Sequence, residues 1–179
     1  LAERGVLDVD APVERYLPGF PHAGRGITVR RLAAHQSGMS DAFAVAHYTT
    51  RRHFAALDAA YREIAAVPLA YEPGSRVEYA TGTYTVIGRV LEAAAGRDYR
   101  RLMREELFAV AGLAGIVPND PGAAVQHRTV FYATRAGGGF EPAPGVDPSH
   151  KLPGAGFLAT ARDIASFGAA LLGPRVCGD

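Results

Sequence analysis

A single cysteine, Cys177, occurs in the 179 residues. A lone thiol excludes a disulfide framework within the chain and any zinc site built from several cysteines. Lysine is equally scarce: Lys151 stands alone among 19 basic residues, the rest being arginine, so amine chemistry within these residues rests on one side chain. No apolar run approaches the roughly 20 residues of a membrane-spanning helix. Neither charge sign dominates; the net charge is +1, which gives no electrostatic case for nucleic acid or an anionic membrane surface. The histidines are scattered. The nearest pair, His47 and His53, is spaced for neither one helix face nor a zinc signature, so no metal site is expected.

What is present suffices for one domain with a sizeable core. The stretch from Tyr71 to Gly96 organises the rest. Pro73-Gly74 is a strong turn signal. Val77 and Tyr79 alternate with Arg76 and Glu78, which predicts an extended piece with one apolar face. Tyr84, Ile87, Val90, Leu91 and Ala94 then recur at helical spacing, and Gly96 is placed to close that helix in a left-handed cap. Tyr79 is thereby predicted on a loop between a tight turn and a helix entry, where chemistry is commonly carried.

Around this stretch the pattern is mainly helical. Leu1 to Gly5 reads as the tail of a helix. Thr28 caps a short helix through His35, and His35 is expected to bond exposed helix-terminal carbonyls. Phe54, Leu57, Tyr61 and Ile64 predict a helix from about Thr50 to Ala66. Asp98 caps another, which Gly112 ends. Residues 128–134 read as a strand, turned back by Gly137-Gly138-Gly139 through Phe140 into a hairpin. Thr160 and Asp163 form a capping box before a helix that places Ile164, Phe167, Leu171 and Leu172 inside and stops at Gly173-Pro174.

Several chemistries are disfavoured. Gly154-Ala155-Gly156 resembles a dinucleotide-binding glycine pattern, but the proline-bounded segment before it cannot be the central strand that pattern requires. No G-x-S-x-G and no S-x-x-K occurs. Glu105 and Glu106 occupy adjacent helix positions and do not converge. From the residues alone, Tyr79 is one plausible titrating loop residue, no nucleophile accompanies it, and a half-buried packing role for Tyr79 stays open.

Four segments in order nevertheless resemble the serine β-lactamase-related family, which includes class C β-lactamases, D-alanyl-D-alanine peptidases and esterases. Leu1 to Val13 is similar to the end of its nucleophile helix and the following turn. Ile27 to Met39 is similar to its "iTirhLLtHtSGl" segment. Pro73-Gly74 with Tyr79-Ala80-Thr81 is similar to "PG…YSN", and Leu152 to Asp163 to "aGGl.ST..Dl". Tyr79-Ala80-Thr81, and Phe131-Tyr132 leading into Lys151, are most like the mitochondrial members and their bacterial relatives.

The resemblance implies an α+β, penicillin-binding-protein-like fold, here mostly its helical part plus a β-hairpin, with residues 1–179 forming one wall of the cleft. It implies acyl transfer: a serine attacks a peptide, ester or β-lactam carbonyl, and water releases the acyl-enzyme. Tyr79 would be the general base or proton relay. A free phenol titrates near 10 and is a poor neutral-pH base unless cations favour its phenolate. Thr81 would contact substrate, replacing an asparagine amide with a shorter hydroxyl. The family's S-x-x-K would fall about a dozen residues before Leu1, and its K-T-G or H-x-G beyond Asp179, so this chain alone is expected not to form an acyl-enzyme. A core face without its partner layer is expected to leave apolar surface exposed. No cofactor is implied. The expected partner is a small-molecule or peptide substrate, with homo-oligomer formation left open, and an exported protein is the family's commoner setting. Two other readings stand beside this one: a non-catalytic penicillin-recognition or assembly module, and an unrelated helical binding domain, the latter favoured if Tyr79 is buried away from any cleft.

Overall fold

A computed structural model describes residues 1–173 and Val176. Cys177 and Pro174 lie outside the described residues. The elements in chain order are α1 (Val29–Ala33), α2 (Ala42–Ala46), α3 (Leu57–Ala65), α4 (Gly82–Ala95), α5 (Tyr99–Met103) and α6 (Ala109–Ala111). Strands β1 (Val117–Pro118), β2 (Tyr132–Thr134) and β3 (Phe140–Pro142) follow, then α7 (Leu152–Ala155), β4 (Phe157–Leu158) and α8 (Ala161–Leu171). β1 pairs antiparallel with β4, and β2 with β3. The β2–β3 hairpin matches the expectation for this region in a shorter form. The β1–β4 pair was not anticipated, because two-residue strands carry no readable alternation.

The longest helix, α4, is the hub. It packs against α1, α3, α5 and α7. Thr83, Thr85, Val86 and Val90 on it are fully buried, joined by Val13, Ile27, Leu32 and Ile64 in one core. Each buried Val, Leu or Ile contributes about 1.5–3 kcal/mol, whereas a 14-residue helix alone is marginal in water. Packing therefore holds α4, and Gly96 ends it in the left-handed conformation with φ 63°. Gly88 admits the neighbours: a Cβ there would stand 2.4 Å from Pro153 Cγ and 2.9 Å from a Leu57 methyl.

The structure corrects several expectations. Residues 1–5 form turns rather than a helix end. The helix predicted from Thr50 begins only at Leu57. Residues 50–54 are held as loop because their polar groups bond across the chain: Asp147 N–H donates to the Thr50 carbonyl at 2.8 Å, and Phe54 N–H to Ser149 Oγ at 2.8 Å. Phe54 still enters the core, 2% exposed, but from a loop. The rod from α5 to α6 runs through a π-helical turn, Arg104–Phe108, before Gly112 closes it. On α8 the Thr160–Asp163 capping box is present, yet Ile164, Leu171 and Leu172 face solvent.

Candidate functional site

The site region is built by two chain segments laid side by side. Thr28 caps α1, accepting from Arg31 N–H at 3.2 Å. The chain then leaves α1 through His35, a non-glycine residue at φ 55°. The His35 carbonyl accepts from Glu78 N–H at 2.9 Å and from the Tyr71 hydroxyl at 3.1 Å. Gln36 and Gly38 carbonyls accept from Gly74 and Ala70 N–H, each at 2.8 Å. These bonds tie the post-α1 turn to the Tyr71–Ala80 loop.

His35 does not bond helix-terminal carbonyls through its ring, as its position beside α1 suggested. Its Nδ1 accepts from Ala80 N–H at 3.3 Å, which places the ring proton of the neutral imidazole on Nε2. The ring lies 4.5 Å from the Tyr79 ring and 5.6 Å from the Tyr84 ring, centroid to centroid. It is a post against which the tyrosines lean.

Residues 76–79 form no regular element and join no sheet. Their alternation does not bury one apolar face: Val77 and Tyr79 are both exposed, Tyr79 by 67%. Among the described residues the Tyr79 hydroxyl has no hydrogen-bond partner. It stands on open surface; a cleft of about 700 Å³, lined by His53, Arg100, Asn119 and Asp147 among others, lies elsewhere. Ala80, next to it, is fully buried. The pair forms a pivot, with a pinned backbone and a free phenol.

Thr81 is half-buried at the entry to α4. Its N–H donates to Asp41 Oδ1 at 2.7 Å and its hydroxyl to Asp41 Oδ2 at 3.4 Å. Asp41 precedes α2 but caps nothing there; its carboxylate is spent across the fold. Sequence reading missed it, because an aspartate before a short helix looks like an ordinary N-cap. Its long-range acceptor role carries no local signal.

Lys151 lies against Tyr48, Nζ 5.7 Å from the ring centroid, and no hydrogen bond joins it to Tyr79. The neighbouring Asp147 accepts from His53 Nδ1 at 2.8 Å and from Ser149 N–H at 2.9 Å. Burial alone would raise this carboxyl, but Ser149 and then His53 outweigh it and hold Asp147 below the usual carboxylate range. Among the described residues no group of three or more His, Cys, Asp or Glu side chains could hold a metal ion. No described helix is long and apolar enough to cross a membrane.

Residues 1–178 match the family described as Beta-lactamase. The chain is 32% identical over 105 residues to the mouse mitochondrial serine β-lactamase-like protein LACTB, covering 59% of this chain and 19% of that protein. It is 29% identical over 174 residues to penicillin-binding protein 4 of Amycolatopsis lactamdurans, covering 93% and 45% respectively. Esterase EstB of Burkholderia gladioli is 34% identical over 113 residues, covering 54% of this chain and 28% of the esterase. The penicillin-binding protein structure from Bacillus halodurans superposes with a TM-score of 0.82 at 21% identity, over all of this chain and 55% of that one. A D-stereospecific amidohydrolase from Streptomyces superposes with a TM-score of 0.76 at 26% identity, over 98% and 56%. The chain thus spans less than half the length of these curated relatives. With a family match along nearly its whole length and a shared fold, the chain belongs to the β-lactamase family of serine hydrolases.

Proposed function

We propose that this chain supplies one wall of an acyl-transfer site that opens a peptide, ester or β-lactam carbonyl, with Tyr79 as general base or proton relay and Thr81 facing substrate. The observation that carries the reading is the contrast at one loop: the Tyr79 phenol is solvent-exposed and has no hydrogen-bond partner among the described residues, while its neighbours Ala80 and Thr81 are pinned to His35 and Asp41. A tyrosine that only packs would bury its ring. A tyrosine that passes protons needs a free oxygen on a fixed backbone. The serine and the amine that would complete the chemistry come, in this reading, from residues outside these 179, since no S-x-x-K lies within them.

The test uses the full product of the gene. A fluorophosphonate probe is expected to label it on serine and to leave the 179-residue chain unlabelled. Tyr79→Phe in the full product is expected to lower ester or lactam turnover by about 100- to 10,000-fold, the usual worth of a positioned acid–base group. Turnover unchanged by Tyr79→Phe sinks the reading, as does stoichiometric labelling of the 179-residue chain.

A further inference from the structure

Arginine on this surface is generally matched by carboxylate: Arg30 with Asp10, Arg52 with Glu63, Arg97 with Glu105 and Glu106. Some cations among the described residues break that pattern, Arg100 and Arg104 at one cleft and Arg128 and Lys151 at another. A cleft of about 560 Å³ between the end of α2 and the β2–β3 hairpin is lined by Lys151 and Arg128, with no aspartate or glutamate in its wall. Among the described residues neither cation has a carboxylate partner. Arg128 is held by neutral acceptors: the Asp120 carbonyl at 3.0 Å, the Ala123 carbonyl and the Asn119 side-chain oxygen. No carboxylate of the cleft wall offsets its guanidinium. Lys151, the only lysine in the sequence, lies over the Tyr48 ring. A third cation without a carboxylate partner among the described residues stands nearby, since Arg51 Nη2 is 3.8 Å from the position of a Cβ on Gly145, which lines the cleft.

The rest of the wall is apolar and aromatic. Tyr48, Phe131 and Val146 line it and are exposed by 74%, 64% and 41%. Positive charge without a counter-ion, beside open aromatic faces, is complementary to one kind of solute: an anion attached to an apolar body. We propose that this cleft binds an organic carboxylate bearing an aromatic or branched apolar group, with the carboxylate between Lys151 and Arg128 and the apolar part against Tyr48 and Phe131. The inference goes beyond the acyl-transfer reading and does not depend on it.

The experiment titrates the 179-residue chain with 4-phenylbutyrate, followed by amide chemical shifts. Binding at one site is expected, with shifts centred on residues 48, 131 and 151. The neutral analogue 4-phenylbutanol should bind about tenfold more weakly, the worth of one charge-assisted contact. Acetate, which lacks the apolar body, should also bind more weakly. Lys151→Met should weaken 4-phenylbutyrate about tenfold and Lys151→Arg should largely restore it, while Arg162→Gln, outside the cleft, should change nothing. Raising the salt concentration should loosen the complex. Equal binding of acid and alcohol overturns the proposal. So do shifts centred elsewhere on the wild-type chain, a readout that needs no variant to fold.

Discussion

Asp41 Oδ1 receives the Thr81 N–H at 2.7 Å across 40 residues of sequence. This contact fixes the point where the Tyr79 loop turns into α4, and the Asp41 carboxylate has no other duty on its own helix. Removing it leaves a half-buried N–H without an acceptor. Asp41→Ala is expected to cost about 1–3 kcal/mol by urea denaturation. Asp41→Asn keeps an acceptor oxygen and should retain most of that stability. Equal loss in both variants would assign the effect to charge rather than to the hydrogen bond.

Gly38 sets how closely the two site segments approach. Its φ is +82°, and a Cβ there would stand 2.3 Å from the Tyr71 carbonyl oxygen. Gly38→Ala therefore combines left-handed strain with a backbone clash, and a loss above about 2 kcal/mol is expected. Gly137, with open space around it and no left-handed φ, is the control. Gly137→Ala should stay within about 0.5 kcal/mol of wild type. Comparable melting temperatures for the two variants would contradict this account of the segment crossing.

The helical hub was legible because its signals are local. The spacing of Ile87, Val90, Leu91 and Ala94, the caps at Thr28, Asp98 and Thr160, and the stop at Gly96 all act within a few residues. The pairing of residues 50–54 with 147–149 was not legible. The apolar beat of Phe54, Leu57 and Tyr61 continues smoothly through Phe54, while what ends the helix is a set of bonds to partners about 95 residues away. The same holds at the site. Tyr79 could be singled out from its loop and its family resemblance, but Asp41 and the His35 acceptor role exist only through tertiary contact.

His150 is expected to make the fold acid-sensitive. It is 3% exposed, among the rings of Phe43, His47 and Phe54, and its Nδ1 has no partner among the described residues. Burial, and then the neighbouring Lys151, pushes its imidazole below the ordinary histidine range. The unfolded chain takes up that proton first, so stability is full above about pH 6.5 and falls as pH drops below it. His150→Phe places another ring in an aromatic surround and removes the titrating group. Its unfolding free energy is expected to decline less than wild type between about pH 7 and pH 5. Parallel profiles for the two proteins would remove His150 as the source.

The outward face of α8 carries the last consequence. Ile164 is 60% exposed, Leu171 48% and Leu172 93%, while Phe167 and Ala170 on the same helix pack inward against Phe108 and Leu113. The helix is therefore apolar on both sides, and only one side is covered by the described residues. Apolar surface buries itself at about 25 cal/mol per Å², so this face should draw the chain into self-association at high concentration. Light scattering is expected to show a mass that rises with concentration. Ile164→Glu combined with Leu172→Glu should return it to the monomer, because each replaced side chain points to solvent and the inward core is untouched. A monomeric wild type at every concentration would show that this face is tolerated in water, and a double variant that still associates would move the interface to the exposed aromatics of the β2–β3 hairpin.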